Sequence, residues 1–352
     1  MTTRQDVRPP GRLVRDGRDR WSLLVHPRSV AIGAWLVLVA AGASLASLSV
    51  GDFPITPLDV ARTLLGNGSP ATDYVIFQLR LPRLLTALAA GAAFGASGAI
   101  FQSLTRNPLG SPDIIGFSAG AGTGALVTLL VLGAGLSRAG LGAIVGCAAS
   151  ATVVYLLAYR RGTHGYRLVI IGVGVQAMLT AANYYLLMRA NVYDAQSAAW
   201  WLVGSLNARD VDHVLLVGAP LLFLLPAALA LNRRGRMLEM GDESARALGV
   251  AVEPSRLALI ATGVGLAGTA TAAVGPIAFV ALAAPQLARR LTRAAGPGML
   301  PAALMGAVLL VVSDFIAQHL LGSSQLPVGV VTSSLGGLYL VWLLGWARQS
   351  NG

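Results

Sequence analysis

The chain contains no lysine; all 26 of its basic residues are arginine. A Walker A loop needs a Gly-Lys-Ser/Thr run to hold phosphates, so a standard P-loop ATPase is excluded. Cysteine is nearly absent too. Cys147 stands alone in an apolar run, so no internal disulfide can form and the redox compartment is not readable. There is no His-Glu-x-x-His run, no Cys/His cluster and no serine with a convincing base. His26, His164, His213 and His319 all fall at span ends or in loops. No enzyme activity, metal or bound cofactor is expected. Charge is scarce as well, at 12% of residues, against about 25% in an ordinary soluble domain.

What is abundant is apolar surface. Hydrophobic residues make up 55% of the chain and mean hydropathy is +0.67. Runs of about 20 residues without a charge recur, the length that crosses a hydrocarbon core of ~30 Å. The chain is therefore expected to be an all-α polytopic membrane protein with about ten transmembrane helices. The net charge of +11 does not point to nucleic acid, because the arginines sit in the connections between spans, where orientation rules place them.

Residues 1–28, with seven arginines and three aspartates, read as a flexible cytoplasmic tail. Ser29 to Val50 follows as the first span. A signal peptide competes, but this apolar core exceeds the 7–15 residues of a secretory h-region. The connection 51–80 frames one surface helix between Pro57 and Gly66. Further spans are expected at about 84–104, 114–134, 140–158, 168–188, 213–231, 257–275, 277–288, 299–320 and 328–344. Gly275-Pro276 separates two of them. Residues 29–346 thus form one membrane domain, and 347–352 a short tail. Gly91, Gly95 and Gly98 lie at helical spacing, and with the glycines of SAGAGTG they favour close helix packing. Trp200 and Trp201 mark a membrane–water boundary.

Counting arginines orients the chain. With the N-terminus inside, the inner segments hold twenty and the outer ones six: Arg62, Arg80, Arg83, Arg138, Arg189 and Arg209. The bias predicts N-in, C-in. It puts the longest charged stretch after the tail, within the connection of about 232–256, in the cytoplasm. There GDESARAL reads as one or two helical turns and Gly249 as their stop. A short helix offered to a partner and a simple solvated connection both fit that pattern. Asp314 is the one carboxylate inside an expected span. It stands without a second acid or histidine one turn away, which leaves a structural hydrogen-bonded role and a transport role such as a proton relay.

Four blocks carry a resemblance. They are LRLPRLLTALAAGAAFGASGAIFQSLTRNPLGSPDIIGFSAGAGTGA, GDESARALGV, GPIAFVALAAPQLARRL and SDFIAQHLLGSSQLPVGVVTSSLGG. In this order they resemble the FecCD-type, or type II, ABC importer permeases of iron-siderophore, haem and cobalamin uptake, over roughly residues 50 to 346. The resemblance implies that fold in a bacterial plasma membrane. It implies a second permease subunit, two separate ATPase subunits beneath, and an extracytoplasmic substrate-binding protein. A ferric siderophore is the expected cargo, with haem or cobalamin as the alternative. An ion-coupled secondary transporter fits poorly, since it needs intramembrane acids or broken helices in matching halves.

The same resemblance assigns residues. The loop Glu239–Val250 would form two short helices in a cleft on the ATPase, through Glu239, Gly241, Asp242, Glu243, Ala245, Arg246, Leu248 and Gly249. Arg80 and Arg83 would receive acidic residues of the binding protein; snorkelling at the headgroups is the competing account. Spans matching 167–188 and 198–206 would line the pathway. Gln102, Asn107, Pro108, Gln176, Trp201, Gly204 and Asp314 are its pathway or packing candidates. The chain departs from the family's pattern at Gln286, Gln318 and Gln325. These departures suggest a heteromer, in which a different permease keeps the missing charges.

Overall fold

A computed structural model describes residues 12–15, 22–159, 165–294, 296, 298–319 and 326–349. Residues 1–11 and 16–21 of the tail, His164, Gln325 and residues 350–352 lie outside the described residues. The tail carries one element that its composition did not announce: β1 (Arg12–Arg15) pairs antiparallel with β2 (Ser22–Val25). Everything else regular among the described residues is helical.

Helix α1 (Pro27–Ser49) has Pro27 in its first turn, where a missing N–H costs nothing. The expected surface helix is α2 (Pro57–Leu64), capped by the Thr56 hydroxyl, and Gly66 follows in the left-handed region at φ 81°. α3 (Pro70–Asp73) then continues through a wider π-type turn over Tyr74–Arg80 into α4 (Leu81–Thr105). The expected 51–80 connection is thus helical from Pro70 onward, and Pro70–Thr105 is one 36-residue rod. The chain continues with α5 (Phe117–Leu126), α6 (Leu136–Ala158) and α7 (Gly165–Arg189). Next come α8 (Val192–Val203), α9 (Val211–Glu239) and α10 (Asp242–Ala247). Last are α11 (Val252–Val274), α12 (Val280–Thr292), α13 (Met299–His319) and α14 (Val328–Gln349).

Among the described residues seven helices are long and apolar enough to cross a membrane. The expected spans 114–134 and 277–288 are shorter or half-length helices, α5 with its π-type extension and α12, while the expected span 328–344 lies within the 22-residue α14. Phe279 starts α12 at φ 69°, a left-handed conformation unusual for a bulky side chain. Its ring lies where a Cβ on Gly336 would fall, so α14 holds the strained residue in place.

α4 is the axis of the fold. Nineteen of its residues are buried, between α13, α11, α9 and α12. A Cβ on Gly91 would collide with the Gly306 carbonyl, one on Gly95 with Ala302, and one on Gly98 with Ala281. The glycine row therefore does what its spacing predicts: backbones meet where lipid gives no hydrophobic drive for association. The SAGAGTG glycines serve α5 against α6 likewise, with Gly124 set on Gly142. Peripheral α1 buries Leu36 with Ala284, Ala288, Met305 and Val308.

Candidate functional site

Three places carry polar chemistry. The first is the charged connection. α9 does not stop at the expected 231 but runs to Glu239, and α11 begins at Val252. Arg233, Arg234 and Arg236 therefore ride on a helix; charge ends a span in lipid, not a helix in water. Between them lies one six-residue helix, not two. Gly241 turns the chain at φ 112° and Gly249 ends α10 at φ 80°. The Gly249 N–H donates to Arg246 O and the Val250 N–H to Ala245 O, both at 2.9 Å, a Schellman closure. Ala245 is buried, while Glu243, Arg246 and Leu248 are exposed. Glu239 faces Gly296.

Asp242 points inward. Its Oδ1 accepts from Arg106 Nη2 at 3.0 Å and from Arg256 Nη2 at 2.8 Å. Arg256 also donates to Glu253 at 2.7 Å, and Arg106 Nε to Leu238 O at 3.1 Å. Burial alone would raise the Asp242 pKa. The Arg256 hydrogen bond and the charges of Arg256, Arg106 and Arg246 overcome it and hold the carboxyl below the usual range.

The second place is a cavity of about 520 Å³ lined by Asp113, Ser118, Gln176, Pro276, Ser333 and Ser334, with Leu202 and Val203 at its edge. Ser118 Oγ donates to Asp113 at 2.5 Å. Gly116 at φ 89° brings the start of α5 onto the backbone of Gln176, and Thr123 Oγ1 donates to Asn183 at 2.7 Å. α7 contributes Gln176 to this cavity and the 198–206 segment contributes Leu202 and Val203. Asp113, Ser118 and the α14 serines were missed; the only local signal was polar SPD inside an apolar run.

The other pathway or packing candidates make internal contacts. Gln102 Nε2 donates to Leu282 O at 3.0 Å. Asn107 Oδ1 accepts the Leu109 N–H at 2.9 Å. Pro108 O accepts from Gln286 Nε2 at 2.5 Å, so that departure bolts α12 to the turn after α4. Gly204 at φ 78° lies against Pro276 O, and Ser205 N–H donates to Val274 O at 2.8 Å. Of the two tryptophans only Trp200 faces outward. Trp201 is 7% exposed and belongs to the core, because α8 folds back onto the Gly275-Pro276 break.

The third place is the opposite end of the bundle. Arg80 donates to Leu48 O and Phe53 O, each at 2.6 Å. Arg83 grips Asp314 with two nitrogens, Nε to Oδ2 at 3.0 Å and Nη2 to Oδ1 at 2.8 Å. Gln318 Nε2 donates to Asp314 Oδ2 at 2.8 Å. Asp314 is therefore not alone: its partner comes from 231 residues upstream. The pairing engages the Arg83 guanidinium and the Asp314 carboxylate with each other. Nearby in sequence to the cavity, Arg209 donates to Ser205 O at 3.1 Å and contacts His213 Nε2 at 2.9 Å. His213 Nδ1 therefore donates to Asp210 at 2.7 Å. That hydrogen bond lowers the Asp210 pKa.

The chain resembles named proteins along most of its length. It is 47% identical over 309 residues, 88% of this chain and 94% of the relative, to the ferric enterobactin transport system permease protein FepG of Escherichia coli (strain K12). It is 36% identical over 333 residues to the probable siderophore transport system permease protein YfhA of Bacillus subtilis (strain 168), covering 90% and 96%. Among solved structures, a metal-chelate type ABC transporter in an inward-facing conformation superposes with a TM-score of 0.80 at 27% identity, over 90% of this chain and 99% of that one. The FecCD transport family matches residues 35–346, and the chain belongs to that family of multi-pass ABC transporter permeases of the bacterial inner membrane.

Proposed function

We propose that this chain is one translocation subunit of an ATP-driven importer for ferric siderophores, lying N-in, C-in with α10 on the cytoplasmic side. The observation that carries the reading is the exposed face of α10, tied by Asp242 to the ends of the spans while the polar cavity lies beyond α4. A chain without lysine has no Walker A loop, so the energy comes from two separate ATPase subunits beneath the permease pair, one of them docked on α10. A second permease completes the pathway against α7, where only Leu168, Gly172 and Asn183 are buried. A binding protein delivers the cargo at the Arg80 end. The siderophore assignment is supported by the names of the relatives. Gln286 and Gln318 serve internal bonds here, which fits a heteromer whose other subunit carries docking charges. Expression of this chain alone with its ATPase, yielding a competent homodimeric complex, would count against the heteromer.

The deciding experiment is uptake of radiolabelled iron as ferric siderophore by iron-starved cells with and without this chain, alongside labelled haem and cobalamin. Loss of siderophore uptake alone is expected. Normal siderophore uptake with loss of haem or cobalamin uptake would replace the cargo. A related expectation concerns Gly249→Val. Left-handed backbone costs a side chain about 1–2 kcal/mol, and β-branching adds to it, so α10 loses its closure. ATP hydrolysis by the assembled complex should continue while uptake falls; unchanged uptake would remove the turn from coupling.

A further inference from the structure

We infer that the Asp242 cluster is the joint through which α10 moves the spans, and that Arg106 is its positioning residue on the α4 side. The inference rests on the importer reading above. α10 has six residues and one buried side chain, Ala245, far below the length at which a helix holds itself together. Its two ends are glycines at positive φ, Gly241 and Gly249, which fix a turn but transmit little force. A cavity of about 490 Å³ opens beside it towards Gly165 and Tyr166, so α7 does not brace it. Besides Ala245, packed into the core, what ties its side chains to the bundle is a pair of charge-assisted hydrogen bonds to one carboxylate oxygen, Asp242 Oδ1, shared by Arg106 and Arg256.

Those two arginines reach different elements. Arg256 stands in the first turns of α11, 7% exposed, and holds Glu253 as well. Arg106 is the residue just past α4, and its second donor grips Leu238 O at the end of α9. The cluster therefore joins α4, α9, α10 and α11 at one point. A planar guanidinium that makes two directed bonds is a stiff strut, which a flexible point charge would not be. The Arg106 backbone supplies an independent sign. It sits at φ 52° without being glycine, a conformation that costs about 1–3 kcal/mol and persists only where surrounding contacts over-determine it. Seven residues further on, the same segment delivers Asp113 to the cavity wall. A displacement of α10 is thus passed through Arg106 to the stretch that shapes the transport cavity.

The test uses the complex in right-side-out membrane vesicles, with ATP and vanadate enclosed. The probe is an impermeant maleimide added outside, reacting with a Ser334→Cys label in the cavity wall; Cys147, 1% exposed, stays silent. In the parent, trapping should change the labelling rate by roughly fivefold or more, the lower end of ordinary allosteric coupling. In Arg106→Gln and Asp242→Asn the rate should not respond, although the ATPase subunit still co-purifies and still traps nucleotide. Asp242→Glu should restore part of the response. Three results would overturn the joint: Arg106→Gln responding like the parent, Arg106→Gln losing the ATPase subunit, or Asp242→Asn failing alone, which would place Asp242 at the ATPase face. A parent that does not respond would sink the importer reading itself, a result distinct from these because it needs no variant.

Discussion

Arg83→Ala is expected to destabilise the protein by roughly 3–5 kcal/mol, the range for removing one partner of a buried ion pair. The Asp314 side chain is 4% exposed and that of Arg83 14%. With the guanidinium gone, the carboxylate keeps only the Gln318 amide, a neutral donor, in surroundings where an uncompensated charge is costly. Thermal unfolding in detergent reads the loss directly. The double variant Arg83→Met with Asp314→Leu removes both charges and should recover most of the stability, since an apolar pair of similar volume is often as good as the bridge. Parental unfolding of Arg83→Ala would mean that Asp314 carries no charge in the folded protein. If the loss is seen, Arg83 is a strut between α4 and α13, and a docking variant built on it would measure stability instead of recognition.

Gly98→Val should be comparably severe. Any Cβ at this position meets the Ala281 carbonyl of α12, backbone that cannot rotate away. Overpacking a core costs typically about 1–3 kcal/mol, occasionally more, and here the obstacle is a whole facing helix. α12 must move away from α4, breaking the Gln102–Leu282 bond. Gly174 is the control. A Cβ there meets nothing within 4 Å, so Gly174→Ala should be neutral, or stabilising by up to about 1 kcal/mol from helix propensity. The yield of monodisperse folded protein separates the two. Equal yields for Gly98→Val and Gly174→Ala would show that α4 and α12 are not in backbone contact.

The glycine row was legible in the sequence because close packing in lipid depends on small residues at one spacing, and spacing is local. Gly249 and the Gly275-Pro276 break were legible for a similar reason, since each is a backbone demand on one residue. Span ends were less so. Charged residues mark where lipid stops, yet α9 carries three arginines past that point before Glu239 ends it. Pairings were not legible at all. Nothing near Asp314 announces Arg83, and nothing in GDESARALG announces Arg106, because side chains that meet across 231 or 136 residues leave no periodic trace. Trp201 illustrates the same limit. Its neighbour Trp200 faces outward as interfacial preference suggests, while Trp201 is claimed by the fold-back of α8.

The half-length helices also bear on how the protein is made. α12 has 13 residues, about 20 Å at 1.5 Å per residue, against a hydrocarbon thickness of ~30 Å. It carries buried Pro285 and Gln286 and ends in Arg289 and Arg290. Such a segment is a poor substrate for insertion on its own, because exposed backbone ends inside hydrocarbon have no partner there. Its place is prepared by α4 and α13, which supply the Gln102 amide and a wall of small residues. The expected consequence is an assembly out of sequence order, in which α12 settles only once α13, synthesised after it, can close over it; a chain truncated before Met299 should leave α12 uninserted.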